Sequence, residues 1–135
     1  MAVFVLKDAA VTINSVDLSD YVTSLTLNYE VDSVEVTAMG ATGHKFTGGL
    51  QNVSLDLTLN QDFAASQVAA TLDALIGTTT TVVVKPTSAA VGATNPSYTI
   101  TDAFLNATQP VAGSVGDLAS MSITFTGGTI TKAVA

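Results

Sequence analysis

The sequence predicts an all-β protein, a sandwich or barrel of strands with one flanking α-helix at about residues 63–76. Three observations carry that reading. Residues 21–31 and 52–60 alternate apolar and polar side chains, the period of a strand with one buried face. Threonine, whose branched side chain suits a pleated surface, recurs through these and several shorter segments. A single stretch places apolar residues at helical spacing.

The elements follow in order. Within "VTINSVDLSDYV", residues 11–22, a short strand, a turn at Asn14-Ser15 and a second short piece lead into the first long strand. That strand, residues 21–31, is expected to put Tyr21, Leu25, Leu27, Tyr29 and Val31 on one face. Val22, Ser24, Thr26, Asn28 and Glu30 take the other. A further strand is expected near residues 34–38. "NVSLDLTLN", residues 52–60, sets Val53, Leu55, Leu57 and Leu59 against polar partners. In "DFAASQVAATLDALIG", Val68, Leu72, Leu75 and Ile76 form a narrow helical stripe, with Asp62 as N-cap and Gly77 as the residue after the C-terminus. Strands near residues 80–85, 98–105 and 117–126 complete the pattern. No repeat or linker divides the chain, so residues 1–135 are read as a single domain.

Composition narrows the function classes. The chain has no cysteine, which excludes disulfides, zinc–thiolate sites and thiol catalysis. Charged residues make up 11%, against about 25% in ordinary soluble domains, while 47% are hydrophobic and mean hydropathy is +0.48. A surface so sparsely charged is suited to meeting other copies. The formal net charge is −7, with four lysines and no arginine, which argues against gripping nucleic acid. The opening "MAVFVLKDAA" lacks the basic leader and cleavage end of a secretory signal, and no apolar run approaches the roughly 20 residues that cross a bilayer; no membrane partner is expected.

"GATGHKFTGG", residues 40–49, resembles a phosphate-cradling loop but fails as one. The motif needs Gly-Lys followed by a hydroxyl residue, leading from a strand into a helix. Here His44 separates Gly43 from Lys45, Phe46 stands in the place of the hydroxyl, and a strand begins near Gln51. Gly40, Gly43, Gly48 and Gly49 instead describe a turned connection between strands. His44, the single histidine, has no nucleophile motif beside it. The pairs Asp17/Asp20 and Asp32/Glu35 match no calcium-loop spacing, and with no tryptophan a sugar cleft is not indicated. The reading is non-enzymatic, with no catalytic residue, cofactor or metal expected.

The segments "NSVDLSDYV", "YEVDSVEVTAMG", "GGLQNVSLDLTLNQDF", "VVVKPTSAAVGATNPSYT" and "SVGDLASMSITF" resemble the tail tube (major tail) proteins of long-tailed bacteriophages, most closely those of actinobacterial phages. The resemblance spans roughly residues 11–128. It implies a β-sandwich with one helix, and subunits that close into hexameric rings stacked into a tube. The tube's inner wall is made of strands from all subunits, and DNA passes through without specific binding. Other phage tail proteins are the further partners; the implied location is the virion tail, with assembly in the host cytoplasm. Gly40, Gly43, His44, Lys45, Phe46, Gly48 and Gly49 then become a subunit-interface loop, Lys45 pairing across it with acids such as Asp32 and Glu35. Glu30 and Asp56 become the lumen-facing acids. A capsid decoration protein is the alternative, since related phage folds serve there too.

Overall fold

The computed structural model describes residues 5–65 and 67–134; residues 1–4, which open the N-terminal apolar run, and Ser66, within the expected helix, lie outside them. β1 (Ala10–Ile13) and β2 (Val16–Asp17) form a tight hairpin. Asn14 and Ser15 take φ of 50° and 67°, the left-handed pair that a two-residue turn between right-twisted strands requires. A 3₁₀ turn, Ser19–Tyr21, leads into β3 (Val22–Glu35), which returns antiparallel as β4 (Phe46–Asn60). After α1 (Val68–Asp73) come β5 (Thr79–Lys85), β6 (Ser97–Leu105), β7 (Ser120–Thr126) and β8 (Thr129–Ala133). The architecture is all-β with one short helix, as the alternation predicts.

The strands pair in the order β2-β1-β5-β6-β7-β4-β3, with β8 also on β6. β6 is where one layer passes into the other. β5 pairs along one edge of it from Tyr98 to Phe104, while the other edge pairs with β8 at Ser97–Thr101 and with β7 at Phe104 and Leu105. The strand turns at a register shift opposite β5, where Asp102 takes φ 61°. The core gathers Val53, Leu55, Leu57 and Leu59 of β4 with Met121, Ile123 and Phe125 of β7. Val11, Ile13, Val82 and Ile100 join them from the other layer, and Val68 and Leu72 from α1. Each such fully buried side chain stabilises the fold by about 1.5–3 kcal/mol.

Six expectations are corrected. The helix is confined to Val68–Asp73, shorter than residues 63–76, because Asp62 does not cap its first turn. Asp62 instead bonds Ala64 N through its side chain and accepts Ala69 N at its own carbonyl, holding the approach as a bend. Gly77 does take the expected left-handed φ, 78°, and donates to Leu105 O, but Ile76 is exposed and leaves the buried stripe to Leu72 and Leu75. On β3, Val22 joins the core side with Leu25 and Leu27, since a register shift between Val22 and Ser24 inverts the alternation there. The strand expected at residues 34–38 is the end of β3, which stops at Glu35, and the one expected from residue 117 begins only at Ser120. β8 is not legible in advance: of its five residues only Ile130 packs against the core.

Candidate assembly surfaces

Burial of the odd-numbered residues of β4 and β7 forces their even-numbered neighbours onto the opposite face. Cross-strand register makes that face continuous: Thr26 opposes Asp56, which opposes Thr124, and Asn28, Ser54 and Thr126 form the next row. Thr124 Oγ1 donates to Asp56 Oδ1 at 2.9 Å, and Asn28 Nδ2 to Ser54 Oγ at 3.3 Å. Glu30 follows Asn28 on the same side, opposite Asn52. Glu30 and Asp56 therefore lie on one face, amid hydroxyl and amide side chains, and no paired position on it is basic.

The second surface is a projecting arm. β7 leaves β4 at Ser54, while β3 and β4 run on together to the Glu35–Phe46 pair, about 25 Å further at the rise of a strand. Every residue from 28 to 52 is exposed. Val31, Val34, Val36, Phe46 and Leu50 are among them, and Met39 at the tip has a relative exposure of 104%. A two-stranded ribbon is marginal in water by itself, and an apolar one is a surface built for covering.

The tip is ordered by polar contacts. Val36 N donates to Lys45 O at 2.8 Å, closing the strand pair around residues 36–45. Thr37 Oγ1 accepts from Lys45 N and donates to Glu35 Oε2, both at 2.9 Å. His44 Nδ1 lies 2.6 Å from the same carboxylate oxygen, and its ring stands 6.5 Å from that of Phe46. This pair is open to water and adds little stability. Glu35 thus engages its own arm. Among the described residues the Lys45 ammonium has no ion-pair partner.

The expected loop is therefore shorter than residues 40–49. Gly40, at φ 90°, with Gly43, His44 and Lys45, belongs to the connection, whereas Phe46, Gly48 and Gly49 are residues of β4. Gly49 sits where two residues of β4 oppose one of β3. A Cβ there would come within 3.2 Å of Asp32 Cβ and Val34 Cγ2, so close strand approach explains this glycine.

At the root of the ribbon, Tyr21 Oη donates to Asp62 Oδ2 at 2.7 Å, and the Gln67 amide lies 2.8 Å from the same hydroxyl. The Ala64 amide and then the Tyr21 hydroxyl hold the Asp62 carboxyl below its usual pKa. The Tyr21 phenol is correspondingly raised, chiefly by that bond to Asp62. A depressed carboxyl contributes stability that is present above its unfolded pKa of 3.8 and lost as pH falls through the folded value. Asp17, lowered by the Ser19 hydroxyl and amide, adds a second contribution of the same sign. Asp62→Asn is accordingly expected to be less stable at pH 7 and to show a shallower decline of Tm between about pH 5 and pH 2. An unchanged acid limb would exclude this role for Asp62.

Sequence reasoning assigned no surface role to one exposed segment. Residues 106–119 join β6 to β7 beside the ribbon's root and present Val111, Val115 and Leu118 to solvent. Their only advance signal is apolar residues in a Gly/Ala/Ser-rich stretch without strand alternation. Among the described residues, no group of three or more acidic or histidine side chains could hold a metal, and no helix is long and apolar enough to cross a membrane.

No protein-family profile matches the chain, and no curated protein does. Solved structures do. A chain of the sheath–tube complex of an extracellular contractile injection system (PVC, extended state) aligns with TM-score 0.71 at 10% identity, covering 98% of this chain and 93% of that one. A chain of the virion of a native gene transfer agent particle gives 0.70 at 12%, covering 98% and 100%. The SPP1 tail tube gives 0.70 at 11%, covering 95% and 77%. At such identities the likeness is one of fold: nearly the whole chain shares the architecture of subunits found in tail-tube and sheath–tube assemblies.

Proposed function

We propose that the protein is a structural, non-enzymatic subunit of a phage-type tail tube, assembled in the host cytoplasm and carried in the virion tail. Copies close into rings, expected to be hexameric, and the rings stack into a tube that meets other tail proteins at its ends. The observation that carries this reading is the β3–β4 ribbon. β3 is an edge strand of fourteen residues, paired among the described residues only with β4, and it contains neither proline nor lysine to discourage pairing. Joined edge to edge around a ring, such strands close into a barrel whose tilt and stagger satisfy every backbone group.

In this arrangement the hydroxyl–acid face lines the lumen, with Glu30 and Asp56 as its charges. Repeated around a ring, carboxylates without counter-charges repel DNA phosphates and keep the genome mobile. The arm contacts a neighbouring copy through the interface residues named from sequence, among them His44, Lys45 and Phe46.

The test is electron microscopy of the purified protein across a concentration series. Hollow tubes or stacked rings of uniform width are the expected result. Particles that stay monomeric or trimeric at every concentration, and then bind capsids, would replace this reading with that of a decoration protein. A second test addresses the lumen. Tubes of Glu30→Lys, Asp56→Lys are expected to retain short duplex DNA on sedimentation at low salt and release it at high salt, while wild-type tubes retain none. Equal retention by both would move these acids away from the lumen.

A further inference from the structure

Along the free side of β3 the two layers leave a groove between them. Leu25, Leu27 and Tyr29 follow one another on the core-facing side of β3, opposite Leu57, Leu55 and Val53 of β4. The facing layer offers Val84, Tyr98 and Lys132, which stand in one row across β5, β6 and β8. The groove has two recesses. The first, of about 170 Å³, is lined by Leu6, Leu25, Leu27, Val84 and Tyr98 among others. The second, of about 390 Å³, lies between Tyr29, Tyr98, Ile130 and Lys132. Leu25 and Leu27 pack against the core, whereas Tyr29 beside the second recess is 52% exposed. Aromatic and apolar side chains around an open recess form a binding surface.

The second recess suits an aromatic ring. It is larger than the roughly 150 Å³ that admits a benzene molecule. Tyr29 and Tyr98 offer ring faces and edges to pack on, and the Lys132 ammonium favours the face of a ring.

Position along the chain indicates the occupant. Leu6 already lines the first recess, and with the five residues before it reads Met-Ala-Val-Phe-Val-Leu, apolar throughout. In an extended chain alternate residues share a side, so residue 4 follows Leu6 at about 6.6 Å. The same two-residue step separates Leu27, beside the first recess, from Tyr29, beside the second. The other phenylalanines are placed elsewhere. Phe125 is in the core, and Phe46 and Phe63 stand at or beyond the two ends of β4. Phe104 is exposed between buried Ala103 and Leu105, on the side of β6 away from the core.

We propose that residues 1–4 of the same chain continue along β3 and seat Phe4 between Tyr29, Tyr98, Ile130 and Lys132, closing the open side of the sandwich. The contact borders the free edge of β3, but nothing in it depends on the tube reading.

The chain has neither tryptophan nor cysteine, so each can be introduced as a reporter. In a subunit kept below its assembly concentration, Phe4→Trp is expected to emit to the blue of Val5→Trp and to be quenched less by acrylamide. Adding Tyr29→Ser, at a half-exposed position, should remove both differences. Phe4→Ala should lower Tm by about 4 °C or more. Phe4→Cys combined with Lys132→Cys, treated with a short bismaleimide, should link within one chain at least about tenfold faster than a mixture of the two single variants links between chains. Thr131→Cys in place of Lys132→Cys puts the thiol on the other face of β8 and should link poorly. Preferential linkage between chains would give the groove to a second copy and overturn the proposal. Equal linkage at positions 131 and 132, an unchanged Tm in Phe4→Ala, or equal exposure of the two tryptophan reporters would overturn it too. None of these results touches the tube reading, and a protein that forms no tubes leaves this contact standing.

Discussion

Gly128→Ala is expected to lose at least about 3 kcal/mol of stability, enough to leave much of the chain unfolded in a domain of ordinary stability. Gly128 follows Gly127 in the reversal between β7 and β8, at φ 84°. A Cβ built there would overlap the carbonyl oxygen of Thr101 and lie 3.0 Å from the carbonyl carbon and oxygen of Asp102. These are backbone atoms at the turn of β6, the strand to which β5, β7 and β8 are all paired. They cannot swing aside as a flexible side chain would. Gly127→Ala provides the comparison: its φ is 78°, and nothing lies within 4 Å of the added carbon. It should cost only the backbone strain, about 1 kcal/mol. Urea unfolding of the two variants measures the difference. Equal midpoints would mean that β8 does not pack against the turn of β6 as described.

Cutting back the arm is expected to have the opposite profile, abolishing assembly while sparing the fold. Joining Val31 directly to Gln51 through an Asn-Gly turn keeps the last of their register pairs and supplies a two-residue hairpin suited to strand twist. Everything removed lies within the exposed residues 28–52, and none of it belongs to the core. The Tm should therefore stay within about 3 °C of wild type. Tubes should be absent at every concentration, because both the tip and the distal half of the free β3 edge are gone. Parallel calorimetry and electron microscopy read both outcomes. Normal tubes from this variant would remove the arm from assembly, and a large fall in Tm would show that it braces the domain.

The two cleanest alternations, around Leu55–Leu59 and Met121–Phe125, were legible because each strand has one buried face and the register is never interrupted there. Legibility failed where a bulge intervened. Val22 changes sides through a register shift, and Gly48 and Gly49 look like loop residues when the structure places them in β4, Gly48 against Val31 and Gly49 against Asp32 and Val34. Asp62 looks like a cap, but it is drawn to Tyr21, 41 residues earlier in the chain. The glycine pattern marks residues 40–49 as a connection between strands, and their interface role is an expectation from the family resemblance. The 106–119 surface was not legible, because apolar residues in an irregular loop carry no period to read.

The class of the fold, the identity of its best strands, the absence of cysteine chemistry, and an acidic, weakly charged composition suited to self-association can all be read from the amino-acid order. These follow from composition and nearest-neighbour pattern, which act along the chain. The folded arrangement alone fixes where β7 stops pairing with β4, and hence that the rest of the ribbon stands free as an arm. It also decided that Glu30 and Asp56 share one face, and that tip and root lie at opposite ends. Those are consequences of strand register and pairing order, set by contacts between residues far apart in sequence, which no local pattern encodes.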